Sequence, residues 1–344
     1  MFGWILFYFL TFSLLACSKK VVQFVYPFIF WIFVGFRDNI GTDYPLTLIS
    51  VERSYMPFSE ISTNFFGYNI LDLEATHKFI AMFMCSLNAP MRVYYVILAA
   101  IEAIIIGYII KKSKHYRLFL FFFICIFSIN YPMNAVRQGL SLILVVLAVF
   151  LENQDGVIRN NRFKSYLATF LAVASHYGSM IVPVFYSLKI NKFRSYVFAG
   201  IIAAAAFAIF TFLGQDMLGD RYEDTDEVYR ISGGLRLFLF AIVLAFTYVA
   251  VIGRGVKNQD FIILIALLVG VFLHNSLLRV YFMFANVLAF KMLIIVDKQV
   301  LSPSKRSALL LYPFVAFAFE LLEIIRTVPI SGTGVWFPYA NWLF

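Results

Sequence analysis

Charge is what this chain has least of. Of its 344 residues only 14% are Asp, Glu, Lys or Arg, about half the ~25% usual in a soluble domain. Cysteine is nearly absent. Cys17, Cys85 and Cys125 stand singly in apolar surroundings, which excludes a disulfide scaffold and leaves three small core residues. There is no Walker loop, no GxGxxG and no GxSxG, hence neither a nucleotide cradle nor a nucleophile elbow. No His-x3-His pair and no dense acidic cluster within an apolar stretch offers metal ligands. No cofactor, no metal and no ATP-driven transport are expected. Internal repeats and low-complexity segments are missing too.

What fills the space is apolar surface. Hydrophobic residues make up 62% of the chain and the mean hydropathy is +0.85, more than any soluble interior can hide. The bilayer is therefore the expected solvent, and the backbone must satisfy itself inside helices. Long unbroken apolar runs, instead of ~10-residue alternating segments, exclude a transmembrane barrel. The expected fold is all-α: a polytopic membrane protein, residues 1–344 forming one transmembrane domain.

Spans are expected near 2–17, 21–36, 91–110, 118–131, 133–151, 195–213, 233–252, 261–278, 280–296 and 307–325. Most approach the ~17–25 residues a crossing needs. Residues 1–17 lack a basic leader and a small-residue cleavage site, so they read as a retained first span. Residues 165–188 carry His176-Tyr177-Gly178-Ser179 in mid-segment and Pro183 soon after. Charge decides their path. If they enter and return as a broken, re-entrant hairpin, the basic connections share one side. These are Lys19-Lys20, Lys111 to Arg117, Arg159 to Lys164, Lys189 to Arg194, Arg254-Lys257 and Lys298 to Arg306. That side then holds 17 Lys and Arg against 10 on the other, and the positive-inside rule makes it cytoplasmic. The expectation is about ten spans plus one re-entrant hairpin, with both termini and the large loops 37–90 and 214–232 outside. Residues 77–88 read as an interfacial helix within the first loop.

Polar groups inside such a chain are costly, so each is a functional candidate. Nearly all fall at the outer ends of spans: Arg37 and Asp38, Arg137, Arg236, His274 and Arg279, and Glu320, Glu323 and Arg326. Glu102, in mid-span, is the exception, readable as a buried acid paired with an arginine or as a proton-coupling group. Asn134, Arg137, Gln138 and Ser141 recur at i, i+3, i+4 and i+7. This puts four polar side chains on one helix face, lining either a cavity or a helix contact. The run Arg37-Asp38-Asn39-Ile40-Gly41-Thr42-Asp43-Tyr44-Pro45 is turn chemistry, and its acids and tyrosine suit a sugar. His176, at the expected break, is a candidate general base or a packing histidine. His77 and His115 read as interface residues. Loop 214–236 adds Arg221, Arg230 and Arg236 and ends in Gly233-Gly234, where backbone can approach a ligand closely.

Three of these pieces, in this order, resemble the Wzy/EpsG-like polymerases of O-antigen, capsule and exopolysaccharide repeat units. They are Arg37…Gly41-Thr42-Asp43-Tyr44, Asn134-x-x-Arg137-Gln138 and Ser175-His176-Tyr177-Gly178-Ser179, followed by Gly233-Gly234-Leu235-Arg236. The chain departs from the pattern at Pro45-Leu46-Thr47, Ser141 and Tyr177, which bears on sugar specificity. The resemblance implies a multi-pass glycosyltransferase of the bacterial cytoplasmic membrane, working on its outer face. Its donor would be a polyprenyl-pyrophosphate-linked glycan, and the acceptor a sugar hydroxyl of another lipid-linked repeat. Catalytic roles fall to His176, Arg137 and Asp43. Binding roles fall to Arg37, Asp38, Gly41, Thr42, Tyr44, Asn134, Gln138, Arg230, Arg236 and Arg279, with arginines stabilising the departing pyrophosphate. Partners are the bilayer, a chain-length regulator and a flippase, and no nucleic acid is expected. An O-antigen ligase, an O-acyltransferase, and a transporter or flippase of lipid-linked glycans remain the other readings.

Overall fold

The computed structural model describes residues 2–38, 40, 51, 74–128, 136–153, 159–176, 226–252 and 277–326, and among these every regular element is helical. In chain order they are α1 (Phe2–Ser13), α2 (Lys19–Phe30), α3 (Ala75–Ser86), α4 (Val93–Lys112) and α5 (Tyr116–Phe122). Then come α6 (Val136–Asn153), α7 (Arg159–Ser175), α8 (Asp226–Ile252), α9 (Leu277–Val296) and α10 (Pro303–Arg326). Among the described residues α4 and α6 are each long and apolar enough to cross a bilayer by themselves. Outward faces are apolar as well. Phe163, Leu167 and Phe170 form an exposed stripe on α7, and Phe238, Ile242, Phe246 and Val249 one on α8. Such stripes suit lipid contact and are rare on proteins that face water. The expected span 195–213 lies outside the described residues, as do residues 261–276 of the expected span 261–278, whose last two residues open α9.

Aromatic rings supply much of the packing between helices. Phe7 of α1 meets Phe33, and Tyr8 and Phe12 meet Phe317 of α10. Phe240 of α8 touches Phe282 of α9 and Phe319 of α10. Small residues let α2 approach α4. Pro27 lies within α2, where it cannot donate a backbone hydrogen bond to the Gln23 carbonyl. Gly107 of α4 packs on that spot, so closely that an added Cβ would stand 3.2 Å from the Gln23 carbonyl oxygen and 3.2 Å from Pro27 Cγ. Close backbone contact of this kind is a usual way for membrane helices to associate. Gly107→Leu is therefore expected to lower the thermal midpoint of the purified protein, with an overpacking cost of about 1–3 kcal/mol. An unchanged melting curve would mean that the contact is slack.

Past Pro27 the helix widens into a π turn, Trp31–Gly35, and α5 does the same at Phe123–Phe127. The Ser128 amide reaches back five residues to the Phe123 carbonyl (3.0 Å) and its hydroxyl bonds Tyr26 (2.8 Å). π turns often mark functional ends of helices, and the first of these leads directly to Arg37.

The two ends of the bundle differ. At one, Lys19 Nζ donates to the Ser113 carbonyl (2.6 Å) and Tyr116 Oη to the Cys17 carbonyl (2.9 Å). There the Asp297 carboxylate also accepts the amides of Lys114 (2.9 Å) and His115 (2.7 Å). The connections after α1, α4 and α9, three of the basic ones expected to share a side, thus meet. Helix α9 ends here, so Arg279 at its start belongs to the opposite end.

Helices α6 and α7 run antiparallel in close contact. Ser165 Oγ donates to the Ala148 carbonyl (3.1 Å), Ser141 Oγ to the Ala172 carbonyl (2.8 Å), and Gln138 meets His176 at 3.2 Å. This corrects the expected shape of 165–188. The break falls at Ser175–His176 as anticipated, but the leg before it starts at Arg159 and follows α6 to its far end, where a shallow re-entrant leg would stop halfway. Residues 177–188, on which the expected re-entry depends, lie outside the described residues. A second correction concerns loop 214–232. Helix α8 begins at Asp226, absorbing the loop's last residues, and Gly233-Gly234 stand inside a helix. At 1.5 Å per residue the helix is about 40 Å long, so its first turns can project beyond a ~30 Å hydrocarbon layer.

Candidate active site

At the end of the bundle opposite the basic connections, α3, α6 and α7 converge on one carboxylate. Glu74 precedes the first residue of α3 and is buried. Its Oε2 accepts from Arg137 Nη1 at 3.0 Å, and its Oε1 accepts from His176 Nδ1 at 3.0 Å. Burial alone would raise the Glu74 carboxyl, but the His176 hydrogen bond and the Arg137 charge outweigh it and hold the group down at about 2. Glu74 is therefore an anchor for its two neighbours; a carboxylate so acidic is a poor proton acceptor at neutral pH.

The partners of His176 fix its tautomer. A carboxylate only accepts, so Nδ1 carries the proton. Nε2 then presents a lone pair, and the Gln138 amide nitrogen points at it from 3.2 Å. A carboxylate behind Nδ1 and a basic Nε2 in front is the arrangement by which a histidine works as a general base. Arg137 is the more open member, with 29% of its side chain exposed against 13% for His176. It can face an anion while tethered to Glu74.

Three of the expected residues, Arg137, Gln138 and His176, are thus brought together, with Ser141 bonding α6 to α7 one turn below. Arg37 and Asp38 have partners of their own. Arg37 is buried, its guanidinium donating to the carbonyls of Val34 and Ile40 and lying 4.3 Å over the ring of Tyr95. It braces the turn that leads into Gly41-Thr42-Asp43-Tyr44. Glu102, buried two turns along α4 from Tyr95, lies within the electrostatic reach of Arg37, in keeping with a buried acid near an arginine. Asp38 pairs with Arg92 at 3.4 Å on the surface. Gly41, Thr42, Asp43, Tyr44 and Asn134 lie outside the described residues. Arg230, Arg236 and Arg279 fall on described backbone in α8 and α9, but their side chains lie outside the description. Among the described residues no group of His, Cys, Asp and Glu is placed to hold a metal ion.

Two members were missed. Glu74 is one of six acids between Asp38 and Glu74 and looked like the rest. The available signal was its place immediately before an amphipathic helix, three residues ahead of a histidine. That histidine, His77, is buried where an interface residue was expected. Helix α3 is two-sided: Phe79 and Phe83 face outward, while His77, Ile80, Ala81 and Met84 face in.

A family model, that of the EpsG family, matches residues 20–341. No curated protein and no solved structure gives a match.

Proposed function

The chain belongs to the EpsG family, and on that premise we propose that this membrane protein of polysaccharide biosynthesis is a glycosyltransferase joining lipid-pyrophosphate-linked oligosaccharide repeats on the outer face of the cytoplasmic membrane. The observation that carries the reading is the Glu74-anchored pair of Arg137 and His176, a cation and a base held side by side at the end away from the basic loops. In the step we propose, an acceptor sugar hydroxyl displaces the Gln138 amide and gives its proton to His176 Nε2. Its oxygen attacks the donor's anomeric carbon, and the bond from that carbon to phosphate breaks. The electron pair leaves with the lipid pyrophosphate, whose charge Arg137 meets. Guanidinium suits this task because it is permanently charged and binds phosphate in a bidentate manner.

Arg230, Arg236 and Arg279 are proposed as further cations for the same group. Gly41, Thr42, Asp43, Tyr44 and Asn134 are proposed as sugar contacts, with Asp43 the second candidate base and Arg37 and Asp38 holding that loop. The topology that goes with this is about ten crossings besides the segment that contains α7. Its re-entry is part of the proposal, because it keeps Lys189 to Arg194 with the other cytoplasmic cations.

Deleting the gene and separating surface glycans on a gel tests the reading. The expected result is glycan carrying a single repeat, with the ladder gone. Complete loss of surface glycan would point to a ligase or a flippase. A normal ladder lacking acyl groups would point to an acyltransferase.

A further inference from the structure

We propose that His77 is a positioning residue for His176, holding the Ser175 carbonyl at the end of α7 while Tyr94 sets the His77 ring. The proposal rests on the assignment of His176 as the base. His77 is wholly buried, and its Nε2 donates to the Ser175 carbonyl oxygen at 2.9 Å. A carbonyl only accepts, so Nδ1 is left bare, and there it receives the Tyr94 hydroxyl at 2.6 Å. Burial pushes the His77 imidazole down to about 4 against the pull of Glu74, consistent with the neutral ring this bonding requires. Tyr94 is itself buried near the start of α4 and set edge-on to Tyr95. Three helices are thereby tied at one point.

The Ser175 carbonyl belongs to the last turn of α7, where helix carbonyls lack intrahelical partners. Its peptide plane is also the one that enters His176. Fixing that rigid plane fixes where the His176 side chain starts, and Glu74, three residues before His77 at the N-cap of α3, fixes where it ends. Helix α3 thus grips His176 twice, by the backbone before it and by the imidazole. Burial alone does not call for this pattern, since a phenylalanine would fill the space as well.

The test uses the full-length purified protein, with elongation of a synthetic lipid-linked repeat as the readout. His77→Phe is expected to lower kcat by about 10²-fold, the scale of a misplaced catalytic group, with KM for the lipid-linked donor unchanged. His77→Gln, which can both donate to Ser175 and accept from Tyr94, should restore most of the rate. Tyr94→Phe removes one hydroxyl and should cost less. Adding His77→Phe to His176→Ala should slow the enzyme no further, because the two act through one group. A second measurement follows the thiol labelling rate of His176→Cys in a background with the native cysteines replaced. That rate should rise with His77→Phe and stay low with His77→Gln. A loss that adds to that of His176→Ala, or labelling indifferent to His77→Phe, overturns the clamp. A wild-type rate in His176→Ala alone brings down the base assignment, and the labelling measurement then decides by itself whether His77 fixes the end of α7.

Discussion

Arg137→Ala should abolish polymer, and Arg137→Lys should come close to doing so. Removing one preorganised charge-stabilising donor from an active site typically costs about 10²–10³-fold, and lysine cannot reproduce the planar fork. The structure adds a complication. Glu74 is buried and ionised, and loss of its arginine leaves that charge facing His176 alone. Stripping one partner from a wholly buried ion pair costs up to about 3–5 kcal/mol, less here because Arg137 is partly exposed. Arg137→Ala should therefore melt earlier as well as work worse. Combining it with Glu74→Gln separates the two effects, since the melting temperature should recover while elongation should not. A ladder of normal length from the lysine variant would reduce Arg137 to a point charge. Recovery of elongation in the double variant would make its role purely structural.

Glu74→Gln is the second large effect expected. The amide keeps the volume, but it can accept from only one neighbour and turns a donor toward the other. His176 loses the carboxylate that sets its tautomer, and Arg137 loses its tether. Mis-set general bases cost about 10²–10⁴-fold. Glu74→Asp should also fall short, because a side chain one methylene shorter cannot reach both partners. Wild-type elongation by the glutamine variant would remove Glu74 from the site. Acidity gives an independent check. The Glu74 carboxyl is depressed from its ordinary 4.5 to about 2, so the native state has the full gain from its ionisation above 4.5 and loses it progressively as the pH falls from there to about 2. The Glu74 contribution should thus be intact at pH 5. If Glu74→Gln abolished a loss of thermal stability that the unmodified protein shows between pH 7 and pH 5, this account of the carboxylate would be wrong.

Periodicity and charge made parts of this arrangement readable in advance. The polar stripe on α6 could be seen because Arg137, Gln138 and Ser141 recur at helical spacing in an otherwise apolar run. The break at His176 could be seen from the polar residues that follow it. The shared end of three basic connections followed from counting Lys and Arg. Glu74 could not be found this way. Its partners lie 63 and 102 residues away, and only packing of α3 against α7 selects it from its neighbours. His77 was misjudged for the same reason, as its surroundings come from two other helices. The full length of α7 is hidden in the sequence because Arg159 to Lys164 read as a connection, although those residues begin the helix. Gly233-Gly234 suggested a turn, but the helix continues through both.

Gln138 bears on a hazard of chemistry carried out beside bulk solvent. A glycosyl pyrophosphate can be spent on water as easily as on a sugar if a base stands ready. In the structure the lone pair of His176 Nε2 is already engaged by the Gln138 amide. On the proposed reading, a stray water molecule gains too little from binding to dislodge that amide, whereas an acceptor held along its whole glycan can do so. The base would then be released only in the presence of its proper substrate. The activated donor would survive its wait on the membrane, and idle hydrolysis would be held down by one hydrogen bond.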